Sequence, residues 1–265
     1  MPYFRHDDLD FYFEEHGSGQ PFVFSHGLGG NLNQVLELIG QLPETHLIVY
    51  DNRAHGRTRP LGDPAKLTFQ VMAGDMAALI DHLNLPKVFV GGLSMGAGIS
   101  LAFCLRHSHK VKGLVLSRPA WLDAPNPHHL AIFPVIAGFV ERHGLEQARG
   151  DLEQTEFYQQ LCKSHPASAE SLLGLFDGQS GESMVASFRA IPASAPFESL
   201  DRLQALNVPS LVLANRNDPI HPFDLAQVLA DKLPGSRFHE FPSKSDDVGA
   251  HYREFRRLVS DFVRR

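Results

Sequence analysis

At 265 residues, with 43% hydrophobic and 20% charged side chains, the chain is large enough for one sizeable α/β domain, with or without an insertion. A formal charge of −6 and an isoelectric point near 6.2 lack the basic excess of a phosphate-binding surface, so nucleic acid is not an expected partner. No apolar run approaches the ~20 residues of a membrane span, and the N-terminus lacks the basic start and apolar core of a signal peptide. The two cysteines, Cys104 and Cys162, suggest neither a disulfide framework nor a metal site, and a cytoplasmic protein without a membrane partner is expected.

In chain order, residues 10–14 predict an edge strand that ends at Gly17 and Gly19, and residues 21–25 a buried strand that runs into His26, Gly27, Leu28, Gly29 and Gly30. A helix capped by Asn31 is expected over 31–41, and a buried strand over 46–50. The tight segment 51–58 follows. Thr68 is placed to cap a helix that runs to about His82, with Val71, Met72, Ala78, Leu79 and Leu83 as its apolar stripe. Residues 87–90 read as a short strand, 97–105 as an apolar helix and 111–117 as a further strand. Strands alternating with helices imply a doubly wound, mostly parallel sheet, an α/β fold.

The alternation breaks at Arg118 and Pro119 and resumes only at the strand 208–214. Between them, 129–143, 155–162 and 168–176 have helical apolar spacing. The expected organisation is therefore a core of residues 1–118 and 197–265, with 119–196 as a helical cap insertion. A helix over about 222–232, a strand near 237–241 and a last helix ending at Phe262 and Val263 complete the reading.

The chemistry centres on Gly92, Leu93, Ser94, Met95 and Gly96, set between a Val-rich strand and an apolar helix. A serine on such a strand-to-helix turn is held strained with its hydroxyl exposed, and the flanking glycines let strand and helix pass closely. The helix N-terminus directs its dipole and free N–H groups at the same spot, which favours a developing oxyanion. Ser94 is the expected nucleophile.

These residues resemble the α/β-hydrolase superfamily. The resemblance is carried by His26 and Gly27 after a strand, the segment 50–57, the Gly-Leu-Ser-Met-Gly elbow and the segment 213–221 after a late strand, and it covers nearly the whole chain outside the cap. Segment 25–29 and the elbow together look most like the esterase and enol-lactonase branches. The resemblance implies a triad in the order Ser, Asp or Glu, His. Asp218, four residues past the strand ending at Ala214, is then the expected acid, with Asp123 as its rival. The family's histidine would fall near Ser245, where this chain has none; His251, preceded by Gly249 and Ala250, is the expected base, and His221 is expected to line the substrate pocket or cap the following helix, with the base role as its fallback.

By the same resemblance the backbone N–H groups of Leu28 and Met95 form the oxyanion hole. His26 is expected to organise its loop, and Asp51 and His55 to belong to a tight turn. Trp121 is a candidate substrate wall or a core residue, and Arg118 either binds a substrate carboxylate or makes an ion pair. No metal ligand or cofactor is expected. The implied activity is cleavage of a carboxylic ester or lactone of a small to medium, largely apolar acid through an acyl-enzyme. A serine at the elbow disfavours the aspartate chemistry of haloalkane dehalogenases and epoxide hydrolases. Carbon–carbon bond hydrolysis, perhydrolysis and a non-catalytic binding role remain as alternatives, and the oligomeric state is left open.

Overall fold

The computed structural model describes residues 2–264. Among them eight strands form one sheet in the order β1-β2-β4-β3-β5-β6-β7-β8. β1 (Tyr3–His6) and β2 (Leu9–Gly17) make an antiparallel hairpin, and β2 pairs antiparallel with β4 (Thr45–Tyr50). From β4 onward the sheet is parallel, through β3 (Gln20–Ser25), β5 (Val88–Leu93), β6 (Val111–Ser117), β7 (Ser210–Ala214) and β8 (Arg237–Glu240). The expected α/β fold with a mostly parallel sheet is what forms.

One strand sits differently from expectation. The stretch 10–14 lies inside β2, which is not the edge; β1 takes that place. Asp7 and Asp8 both adopt positive φ, 49° and 61°, which supplies the tight reversal that folds β1 back onto β2.

Two apolar layers flank the sheet. On one face Phe22, Phe24, Phe89 and Val115 pack with Val35 of α1 (Leu32–Ile39) and with Phe255, Val259 and Phe262 of α9 (Val248–Val263). The buried positions of α9 recur every three to four residues, so one stripe of the helix covers the sheet while Arg253 and Arg257 face water and Arg256 bonds the carbonyls at the end of α1. On the other face Val23, Ile48, Val90 and Leu114 meet α2 (Phe69–His82) and α3 (Met95–His107). Helix starts follow the local capping chemistry: Asn31 accepts the Asn33 N–H at 2.9 Å and Thr68 the Val71 N–H at 3.3 Å.

Between Ser117 and Ser210 no strand occurs. The segment carries α4 (Ile132–Glu153), broken at Gly144 where φ is 78°, then α5 (Glu156–Ser164), α6 (Pro166–Leu173) and α7 (Gly181–Ala190). α7 escapes the apolar-spacing reading because serines 183 and 187 are interleaved with Met184 and Phe188 on its buried face. α8 (Phe223–Lys232) returns the chain to β8. No helix among the described residues is long and apolar enough to cross a membrane.

Candidate active site

Ser94 sits between β5 and α3 with φ 55° and ψ −111°, a conformation that costs a non-glycine residue about 1–3 kcal/mol. Close packing over-determines it. A Cβ on Gly92 would come within 2.1 Å of the Gly96 carbonyl carbon, and one on Gly96 within 2.1 Å of the Ser25 carbonyl oxygen. The Ser94 N–H donates to Ser117 O at 3.0 Å, while its own carbonyl accepts from Ala97 and Gly98 N–H groups at 3.0 and 3.3 Å. The hydroxyl does not cap α3, so the side chain is left for chemistry.

The loop facing it is held by neutral histidines. His26 Nε2 accepts the Asn52 N–H at 3.1 Å, so its proton is on Nδ1 and is donated to Gly27 O at 2.8 Å. His55 repeats the pattern, accepting the Gly29 N–H at 3.2 Å and donating to Arg53 O at 2.9 Å. Burial lowers both rings, His26 to about 4 and His55 to about 3, the latter aided by His26 itself. Asp51 accepts the Leu32 and Arg57 N–H groups at 2.8 and 2.7 Å, and Gln34 Oε1 accepts the Gly27 N–H at 2.8 Å. These residues shape the loop; none of their groups is free for proton transfer. Among the described residues no hydrogen bond within the chain uses the N–H of Leu28 or of Met95. Both donors therefore remain available beside the serine.

Asp218 lies in the loop after β7, at the carboxyl edge of the sheet. Its Oδ2 accepts from His221 Nδ1 at 2.8 Å and from Arg118 Nη1 at 3.2 Å, and its Oδ1 from the N–H groups of Ile220 and His221 at 3.2 and 3.3 Å. Burial pushes this carboxyl up, but the His221 charge and hydrogen bond, Arg118 and the Ile220 N–H outweigh it and hold it well below the usual carboxylate range. Ser94, Asp218, His221 and Arg118 line one cavity, together with Gly27 and Leu28.

His251 does not join them. Asp218 pairs with His221, and neither Asp218 nor Ser94 is hydrogen-bonded to His251. The cause is where α9 begins. The helix starts at Val248, capped by Asp247, so His251 lies in its first turn with its N–H on Asp247 O at 2.9 Å. Its Nδ1–H is fixed on Pro242 O at 2.8 Å, and its ring packs 4.9 Å from Phe241 and 5.4 Å from Tyr252. Nε2 is buried without a partner, and burial and the Arg118 charge lower the ring to about 4.

The alternatives left open at Trp121 and Asp123 are separated by burial and hydrogen bonding. Trp121 is 1% exposed and packs edge-on against Phe69 at 5.2 Å between ring centres; it belongs to the core, not to the cavity wall. Asp123 accepts the Leu200 N–H at 3.1 Å, a pin for the returning chain, and is not part of the site. Arg118 both lines the cavity and pairs with Asp218, so the two roles weighed for it occupy one place.

Sequence reasoning passed over Lys244. The β8–α9 loop, tied by Ser243 Oγ to Asp246 at 2.8 Å, delivers Ser243, Lys244 and Ser245 to the cavity. The signal was available, since the family's histidine spacing falls next to it, at Ser245. Further wall comes from Gln34, Glu37 and Leu38 of α1, from Tyr252 of α9, and from the helical segment, with Phe133, Leu172 and Leu175 among its apolar members. No group of three His, Cys, Asp or Glu side chains among the described residues converges as a metal cage.

A serine on a strained strand-to-helix elbow, a glycine-rich loop opposite it and a carboxylate–imidazole pair at the same sheet edge define the architecture of an α/β hydrolase. The family model described as alpha/beta hydrolase fold matches residues 20–245, and the chain belongs to that family. A relative from Azorhizobium caulinodans, provisionally named carbamate hydrolase RutD, is 29% identical over 95% of this chain and 91% of its own. The Bacillus subtilis AB hydrolase superfamily protein YisY is 26% identical, with 96% and 94% covered. Among solved structures, an esterase from Exiguobacterium antarcticum superposes with a TM-score of 0.79 at 23% identity, covering 99% of both chains. The enol-lactonase from Burkholderia xenovorans LB400 gives 0.76 at 22% identity, covering both chains entirely. At these identities the structural likeness concerns the fold.

Proposed function

We propose that the protein is a serine hydrolase that cleaves a carboxylic ester or lactone through an acyl-enzyme. The observation that carries this reading is the shared cavity: Ser94 on its elbow, the Asp218–His221 pair at 2.8 Å, and the free N–H groups of Leu28 and Met95. The esterase and enol-lactonase among the similar structures fit it, and the carbamate hydrolase name among the relatives extends the substrate class to be assayed.

In this reading Ser94 Oγ attacks the carbonyl carbon as its proton passes to His221 Nε2. Asp218 holds His221 Nδ1–H, which fixes the tautomer and stabilises the imidazolium. The Leu28 and Met95 N–H groups meet the developing oxyanion, each such donor contributing about 2.7–4 kcal/mol of transition-state stabilisation. Collapse of the tetrahedral intermediate expels the alcohol, which takes the proton from His221. Water, deprotonated by the same ring, then releases the acid. The nucleophile–base hydrogen bond in such sites is often long without substrate and tightens in the Michaelis complex. His221 displaces His251 as the preferred base because it alone is paired with the carboxylate and lines the cavity.

Labelling with a fluorophosphonate probe tests the proposal. Stoichiometric labelling of the wild type, lost in Ser94→Ala with the melting temperature nearly unchanged, is expected. Slow or absent labelling of the wild type would instead favour a binding protein on a hydrolase scaffold, a reading kept in view because Ser94 Oγ makes no hydrogen bond to either histidine.

A further inference from the structure

We propose that the cavity selects substrates carrying a carboxylate besides the bond to be cut, and that Lys244 is the residue that receives it. This deepens the serine-hydrolase reading and rests on it for the word substrate, though not for the binding site.

The argument begins with free donors. Lys244 lines the same cavity as Ser94, with its side chain 29% exposed. Among the described residues its ammonium makes no hydrogen bond: the nearest carboxylate oxygen, on Glu37, is 3.9 Å away, and the Tyr252 ring lies 4.9 Å off. An aromatic face attracts the charge but offers no oxygen to the N–H groups. Glu37 is a weak partner, because its side chain is 66% exposed and already accepts from the Tyr252 hydroxyl. Arg118 lines the same cavity but is engaged: its Nη1 bonds Asp218 and its Nε is buried.

Charge makes the surplus specific. The Asp218 carboxylate is already matched by His221 and Arg118, so it is not free to neutralise Lys244. Burial and the like charge of Arg118 press the ammonium pKa below its usual value, against the weaker opposing charges of Glu37 and Glu170. Arg118 and Lys244 share this partly dry cavity with two carboxylates, Asp218, which is matched, and Glu37, which is mostly exposed, so the free ammonium N–H groups of Lys244 favour an entering anion, and charge-assisted hydrogen bonds are the strong ones. A single carboxylate suits a site whose second cation is already engaged.

The test uses two esters of nearly equal length and the same leaving group, 4-nitrophenyl pentanoate and the mono-4-nitrophenyl ester of glutaric acid. The wild type is expected to prefer the glutarate monoester. Lys244→Met, which keeps the stem and removes the charge, should raise its KM and lower kcat/KM about 10- to 100-fold, while pentanoate turnover changes less than threefold. Lys244→Arg should restore part of the preference. A wild-type preference for pentanoate, or equal losses on both esters, overturns the proposal. Calorimetric titration with glutaramate, an amide that resists turnover, gives a readout independent of catalysis. Binding weakened by Lys244→Met supports the site even if neither ester is cleaved, in which case it is the hydrolase reading that fails. Ester cleavage with glutaramate binding and ester preference both indifferent to Lys244→Met sinks the anion site and leaves the hydrolase standing.

Discussion

Hydrogen bonding divides the buried histidines from the one proposed to act. His26 and His55 have both ring nitrogens engaged with backbone groups, and His251 has one nitrogen fixed and the other sealed in the interior. His221 alone couples to a carboxylate while lining the cavity. His221→Ala should therefore lower kcat by a factor of about 100 to 10,000 and also cost some stability, because the buried Asp218 carboxylate loses the partner that most lowers its pKa. His251→Ala should leave kcat within tenfold but destabilise the fold by about 2 kcal/mol, from lost ring packing and the lost bond to Pro242. Steady-state kinetics and urea denaturation on the two variants settle the ranking, and the opposite pattern would return the base role to His251. Ser94 and Asp218 were legible as residues because each follows a recognisable buried strand by a fixed short distance. The placement of His251 was not, because whether position 251 reaches the cavity depends on where α9 starts, and one turn of helix reverses the answer.

At the scale of elements, strand-to-helix contact positions Ser94. α3 approaches β5 and the end of β3 so closely that a single methyl group on Gly96 would overlap the Ser25 carbonyl. Gly96→Ala should lower the unfolding free energy by about 1–3 kcal/mol or more, measured by urea denaturation. Fluorophosphonate labelling of the folded fraction should slow as well, because β3 feeds directly into the loop that carries Leu28. Retained stability and labelling would show that the elbow tolerates a wider gap than its geometry implies. The parallel strands were readable from their continuous Val, Ile, Leu and Phe runs, a pattern that arises because both faces of the sheet are covered. β1 was not readable: its pairing depends on a two-aspartate reversal with positive φ, which no apolar periodicity announces. α7 was hidden for a related reason, since serines occupy half of its buried stripe.

For the whole molecule, three imidazoles are held neutral by burial, His26 and His251 at about 4 and His55 at about 3, against an ordinary value near 6.5. Between about pH 6.5 and 4 the unfolded chain binds protons at these positions and the folded chain does not. Stability therefore falls on acidification through that window, by up to about 1.4 kcal/mol per pH unit for each group. Asp218 acts in the same direction only lower down, because its depressed value favours the fold above the unfolded carboxylate pKa near 4 and the benefit fades beneath it. Urea midpoints at pH 7.5, 6 and 5 check this; a flat series would contradict it. The cavity's division of labour has a consequence of its own. Ser94 and the Asp218–His221 pair hang from the sheet, whereas Phe133, Leu172 and Leu175 hang from the helices between β6 and β7. If the proposed chemistry holds, exchange of those helices would alter preference while Ser94, Asp218 and His221 keep their mounting on the sheet.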